Sequence, residues 1–241
     1  MQTQRSKLFF SLFYPALFVA LLWLILFYEQ VSGNSLSEFG IYPRTVHGLI
    51  GIVTSPLLHA NRDHLLSNTF PLLILGSVMF YFYRPIAFQV FFWVYLMTGV
   101  WVWAAARDAY HIGASGILYG FISFLFFSGI FRKDTRLMAL SLFVVFLYGG
   151  TIWGILPLDP GISFESHLLG ALAGLITAYN FKAEGPQAKV YDFGDEEENA
   201  KIDVSGEQET EIPFQQPTLH ITYTIVPEKK PDEHPNDTTN Q

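Results

Sequence analysis

Six stretches of about 20 mostly apolar residues recur along this chain, at 8–28, 64–83, 85–105, 114–131, 137–157 and 163–181. A bilayer core about 30 Å thick is crossed by a helix of roughly that length, because lipid offers no partner to backbone N–H and C=O groups. The breaks between the stretches are polar or proline-rich. Arg84-Pro85 separates the second from the third, Arg132-Lys133-Asp134-Thr135-Arg136 the fourth from the fifth, and Pro157-Leu158-Asp159-Pro160-Gly161 the fifth from the sixth. The expected fold class is an all-α polytopic membrane protein.

Charge divides the chain in two. From Lys182 to Gln241 there are 14 acidic and 5 basic residues, a tail of −9 on a body, residues 1–181, of +2. We expect residues 1–181 to form a six-helix membrane domain. Residues 182–241, with the run Asp195-Glu196-Glu197-Glu198, are expected to be an acidic, solvated and disordered cytoplasmic tail. Within it Leu219–Pro227 alternates apolar and polar residues like a strand. Cysteine is absent, which excludes disulfides and thiolate chemistry. The first apolar stretch ends in Phe27-Tyr28-Glu29-Gln30 rather than a small-x-small cleavage site, so it is expected to be a retained helix.

Between the first and second stretches, Gln30–Asp63 contains Pro43, Arg44, His47, Pro56, His59 and Arg62. A seventh span there would bury charge and be broken by proline, so an interfacial or partly embedded loop is expected. With six spans, the short loops on one side receive most of the Lys and Arg, which places both termini in the cytoplasm. The lack of an organelle-targeting segment points to a bacterial plasma membrane. Trp93, Trp101 and Trp103 fit lipid-facing or interfacial anchors, and His47 and His111 interfacial positions.

That topology makes the second, fourth and sixth helices enter from the same face. Their first turns carry the reactive side chains: His64 and Asn68, then Gly113-Ala114-Ser115-Gly116, then Ser163-Phe164-Glu165-Ser166-His167. Gly116 and Gly120 on one helix, and Gly170 and Gly174 on another, form small-xxx-small pairs that permit close backbone approach in lipid. If those faces meet, Ser115 and His167 become neighbours. A serine hydroxyl needs an adjacent base, for which His167 is the candidate. An oxyanion needs hydrogen-bond donors, each worth on the order of 10²–10³ in rate. His64, Asn68 and the backbone N–H of Ser115 can serve. Glu165 lies two residues from His167 and so faces another way. His59, Asp63 and His64 lack a further well-spaced ligand, and no metal is expected.

Together, GASG at 113–116, HLLGALAG at 167–174 and HLLSN at 64–68 resemble the rhomboid intramembrane serine proteases. That family has GxSG on its fourth helix, HxxGxxxG on its sixth and HxxxN on its second. The resemblance covers roughly residues 8–181. It implies a six-helix rhomboid-like bundle with a Ser115–His167 dyad acting through an acyl-enzyme, with Tyr119 against the histidine and His59 as a further supporting residue. It also implies transmembrane segments of other proteins as substrates, entering laterally near the second and fifth helices. One departure is the short 30–63 loop, with Tyr42-Pro43-Arg44 where the family commonly has a Trp-Arg pair. No cofactor and no nucleic acid are implied, and nothing specifies an oligomeric state. Two other classes remain to be weighed: a non-catalytic relative that binds membrane helices, and a small-solute transporter, which would carry polar residues through the full membrane depth.

Overall fold

Among the described residues, large apolar side chains make up much of the outer surface of the helices. Phe146 is 83% exposed, Leu142 69% and Leu24 64%, an inside-out pattern that only lipid solvates. The coordinates are a computed structural model and describe residues 4–159 and 161–187. The chain divides into units Met1–Tyr191 and Asp192–Gln241, and the second lies outside the described residues, as does the strand-like patch at 219–227.

Seven α-helices are described: α1 (Gln4–Ser32), α2 (Gly51–Thr54), α3 (Arg62–Phe82), α4 (Ala87–Ala105), α5 (Ser115–Arg132), α6 (Thr135–Tyr148) and α7 (Phe164–Asn180). α1, α3, α4, α5 and α6 with its continuation to Ile155 are long and apolar enough to cross a bilayer. α7, at 17 residues, stands at the lower limit of that range. The Gln30–Asp63 segment holds only α2 and 3₁₀ turns at Ser37–Phe39, His47–Leu49 and Ser55–Leu57, each too short to span.

α5 is the most enclosed of the long helices and α6 the most exposed. Around α5 the core gathers Leu65, Leu75, Met79, Val94, Phe124 and Leu125. Helix starts follow local chemistry. The Asn61 side chain caps α3 by accepting from His64 N–H at 2.8 Å, and Asp134 caps α6 through Arg136 and Leu137 N–H. Asp134 is held below the usual carboxylate range by its hydrogen bond from Arg136. Lys133, at φ 52°, ends α5 in the left-handed region.

The α5–α7 seam has almost no side chain in it. A Cβ on Gly170 would sit 2.1 Å from the Gly116 carbonyl oxygen, and one on Gly174 2.1 Å from that of Gly120. Two glycine pairs therefore bring the backbones to a separation that any side chain would prevent. Where the sequence predicts one helix over 137–157, the α-helix begins at Thr135 and tightens into a 3₁₀ segment, Gly149–Ile155. Gly149, Gly150 and Gly154 weaken helical propensity there, and 3₁₀ turns are common helix endings.

Past Phe181 the described chain is held by Arg132. Its buried guanidinium donates to Ser128 Oγ and to the carbonyls of Phe181, Lys182, Glu184 and Pro186, and it lies 5.6 Å from the Tyr83 ring centre. These contacts satisfy carbonyls of the non-helical stretch that follows α7.

Candidate active site

The N-terminal turns of α3, α5 and α7 line one cavity of about 650 Å³. Its lining includes His64, Asn68, Ser115, Tyr119 and His167, together with Arg107, His111 and Ser163. Ser115 is the first residue of α5 and so stands at the positive end of that helix.

Ser115 Oγ lies 2.8 Å from His167 Nε2 across the glycine seam. His167 Nδ1 lies 2.9 Å from the Gly154 carbonyl oxygen, which can only accept. Nδ1 therefore carries the proton of the neutral ring, and Nε2 offers its lone pair to the serine O–H. The imidazole is also fixed on its face. Tyr119 stacks on it at 4.1 Å and 7° from parallel, and Tyr119 Oη donates to the Thr151 carbonyl at 2.7 Å. Both carbonyls belong to the 3₁₀ segment. A Cβ on Gly154 would fall 2.0 Å from Tyr119 Oη and 3.1 Å from His167 Nδ1.

On the other side of Ser115, Gly113 adopts φ +113°, a backbone region suited to glycine, and its N–H donates to Ser55 O at 2.8 Å. A Cβ there would lie 2.8 Å from the His64 ring and 4.0 Å from Ser115 Oγ, so the absence of a side chain leaves His64 adjacent to the serine. Asn68 is buried on the same face of α3. Its Nδ2 donates to the His64 carbonyl at 2.8 Å, which leaves the second N–H of the amide. His59 lies behind, its ring 5.0 Å from that of His64, and its Nε2 accepts from Ala114 N–H at 3.4 Å. Burial, then the neighbouring His64, lower the His59 pKa to about 4. It is thus a neutral acceptor bracing the turn before Ser115.

The surroundings of the site contain contacts that the sequence reading did not assign. Gly154 and Thr151 act through backbone carbonyls; the glycine cluster at 149–154 was the available signal. His111 is buried rather than interfacial. It pairs with Ile41 through backbone hydrogen bonds of 2.8 and 3.0 Å, donates from Nε2 to Arg107 O, and accepts from Ser163 Oγ at 2.6 Å. Burial lowers its pKa. Ser163 caps α7 and also accepts from Ser166 Oγ at 2.7 Å, so a hydrogen-bond chain ties the turn before α5 to the start of α7. Trp103, in the last turn of α4, is half-buried and donates to Thr45 O at 2.8 Å, which anchors the 30–63 loop to that helix. Glu165 turns away from His167 and meets Arg107 at 3.6 Å.

A serine hydrogen-bonded to a fixed, neutral imidazole, beside further N–H donors, is an arrangement able to perform acyl transfer. Comparison with known proteins bears on the whole domain. The Rhomboid domain model matches residues 46–183. Uncharacterized proteins of Mycobacterium tuberculosis and Mycobacterium bovis are each 38% identical over 181 residues, covering 71% of this chain and 75% of the relative. One from Mycobacterium leprae is 34% identical over 176 residues, covering 69% of each. With the matched domain spanning α3 to α7 and more than half of the chain, this integral membrane protein belongs to the rhomboid family.

Proposed function

We propose that the protein is an intramembrane serine endopeptidase that cleaves transmembrane segments of other proteins. Ser115 attacks the scissile carbonyl while His167 Nε2 takes the hydroxyl proton. His167 then returns that proton to the leaving amine, and water from the cavity hydrolyses the acyl-enzyme. His64, the free N–H of Asn68 and the N–H of Ser115 stabilise the oxyanion. Gly154 O holds the tautomer and Tyr119 the ring plane. Substrates enter sideways between α3 and α6, with the basic loops and both termini in the cytoplasm of a bacterial cell.

The observation that carries this reading is the 2.8 Å contact between Ser115 Oγ and His167 Nε2, with Nδ1 committed to a carbonyl. The test is labelling by a serine-reactive fluorophosphonate in detergent. The intact protein should label, while Ser115→Ala and His167→Ala should not. Equal labelling of all three would replace the protease by a family member that binds membrane helices without cutting them.

A further inference from the structure

A second large cavity, of about 490 Å³, lies away from Ser115, between α1 and α4. Its lining includes Tyr14 and Leu24 of α1, Phe80 of α3, and Phe88 and Phe91 of α4, and its floor is Ile117 and Phe121 of α5. α1 packs along α3, where a Cβ on Gly76 would meet Pro15 at 2.9 Å. α1 and α4 do not pack along their lengths. Side chains bridge them instead, Tyr14 to Phe88 at 4.9 Å and Phe18 to Phe91 at 5.6 Å between ring centres.

The gap has a visible cause. The segment around α2 and the 3₁₀ turn Ser55–Leu57 wedges against α4 and α1 at the end of the bundle that holds Ser115. Ile52 packs where a Cβ on Gly99 would meet it at 3.0 Å, and Tyr95 Oη donates to Val53 O. Beyond the wedge only these aromatic pairs cross between the two helices, and the cavity lies beside them.

The occupant follows from size, lining and charge. An apolar cavity of about 150 Å³ suffices for benzene, so this one holds roughly three such volumes. That suits a hydrocarbon chain and equals little more than one turn of a helix about 10 Å across. The groove-facing stripe of α1 continues at helical spacing from Leu17 and Tyr14 to Phe10 and Lys7. Arg84, in the turn between α3 and α4, lies 5.5 Å from the Phe10 ring centre. Arg5 and Lys7 are exposed at the same end. The apolar slot therefore runs out to a cluster of basic groups at membrane-surface depth, where anionic headgroups are attracted.

We propose that this groove holds one anionic phospholipid, an acyl chain between α1 and α4 and the phosphate against Arg84 and Lys7. The chain rests on Ile117 and Phe121, about half a turn and nearly two turns past the serine, so the lipid is part of the support of α5. The site does not depend on the chemistry at Ser115.

The experiment is native mass spectrometry of the full chain released from bilayers of equal phosphatidylglycerol and phosphatidylcholine. Ser115→Ala serves as a control that leaves the groove intact. The intact protein and that control should retain one phospholipid, with phosphatidylglycerol enriched at least fivefold. Ala20→Trp places bulk in the open groove from an exposed position and should cut retention at least fivefold. Arg84→Gln should keep a lipid but bring the two headgroups within twofold. Circular dichroism of each variant confirms the fold. No retained lipid in the intact protein, equal retention by Ala20→Trp, or no headgroup preference would each overturn the proposal. So would a dimer that Ala20→Trp converts to monomer, which would assign the groove to a second copy.

Discussion

The Tyr119 and His167 rings lie 4.1 Å apart and within 7° of parallel, and both are tied to carbonyls of the same 3₁₀ segment. The segment after α6 thus sets the ring plane and the tautomer of the proposed base together. Tyr119→Phe keeps the stack and loses one hydrogen bond, which corresponds to a loss of up to about tenfold in kcat. Tyr119→Ala removes the stack as well and should cost about another tenfold. Peptide cleavage assays on a membrane substrate give the comparison; equal rates for the Phe and Ala variants would show that the stack is idle.

Gly154→Ala tests the same segment from the other side. The new methyl meets Tyr119 Oη at 2.0 Å, so either the tyrosine or the 3₁₀ turn must move. A displacement of about 1 Å near the reacting atoms costs on the order of 10² in kcat. Fluorophosphonate labelling should slow by that order while the thermal unfolding temperature in detergent changes little. Full-speed labelling would free the histidine from any dependence on Gly154.

Gly170→Ala addresses stability. Its Cβ would fall 2.1 Å from the Gly116 carbonyl, and that obstacle is backbone, which cannot rotate away. Overpacking costs about 1–3 kcal/mol, and here the upper end is expected because two helices must separate. The unfolding midpoint should fall and labelling should fall with it. Gly149→Ala, whose Cβ would meet Val145 at an ordinary 3.5 Å, should leave both nearly unchanged.

His59 supplies a pH dependence. Its pKa is about 4 in the folded protein, against 6.5 ordinarily, because burial disfavours the charged ring. Neutral His59 is the form the fold accepts, so its contribution is complete above pH 6.5 and declines as pH falls toward 4. The full span is on the order of 3 kcal/mol. Unfolding measured from pH 8 to 4.5 should show this decline, and His59→Gln, lower in stability at pH 8, should show less of it. An unchanged slope in that variant would move the acid sensitivity to another group.

Arg132→Lys separates charge from geometry. A lysine keeps the charge but lacks the planar fork that reaches Ser128 and the carbonyls after α7. Leaving such groups unpaired costs about 1–3 kcal/mol each when buried. Limited proteolysis should cut near residues 182–187 faster in Arg132→Lys than in the intact protein. Identical patterns would mean that charge alone holds this stretch.

Helix positions were legible because the bilayer imposes one period and one length, and Ser115, His167, His64 and Asn68 could be grouped because α3, α5 and α7 enter from one face. The glycine pairs told which faces meet, since a missing side chain is itself written in the sequence. What stayed hidden was carried by backbone atoms. Any residue has a carbonyl, so nothing in Thr151 or Gly154 announces that its oxygen points at the site. The contacts of His111 and Trp103 were hidden for a related reason: their partners, Ile41 and Thr45, are about 70 and about 60 positions away along the chain, and only the folded loop brings them near.

The choice of Gly154 as the partner of His167 Nδ1 has a further consequence. A peptide dipole steadies the ring without requiring a second ion to be stripped of water at this depth, an expense that a buried carboxylate would incur. The same economy means that the imidazolium formed during turnover meets only a partial negative charge. Under the proposed chemistry, the loop after α6, and no second ionisable side chain bonded to Nδ1, is what holds the base ready for its proton.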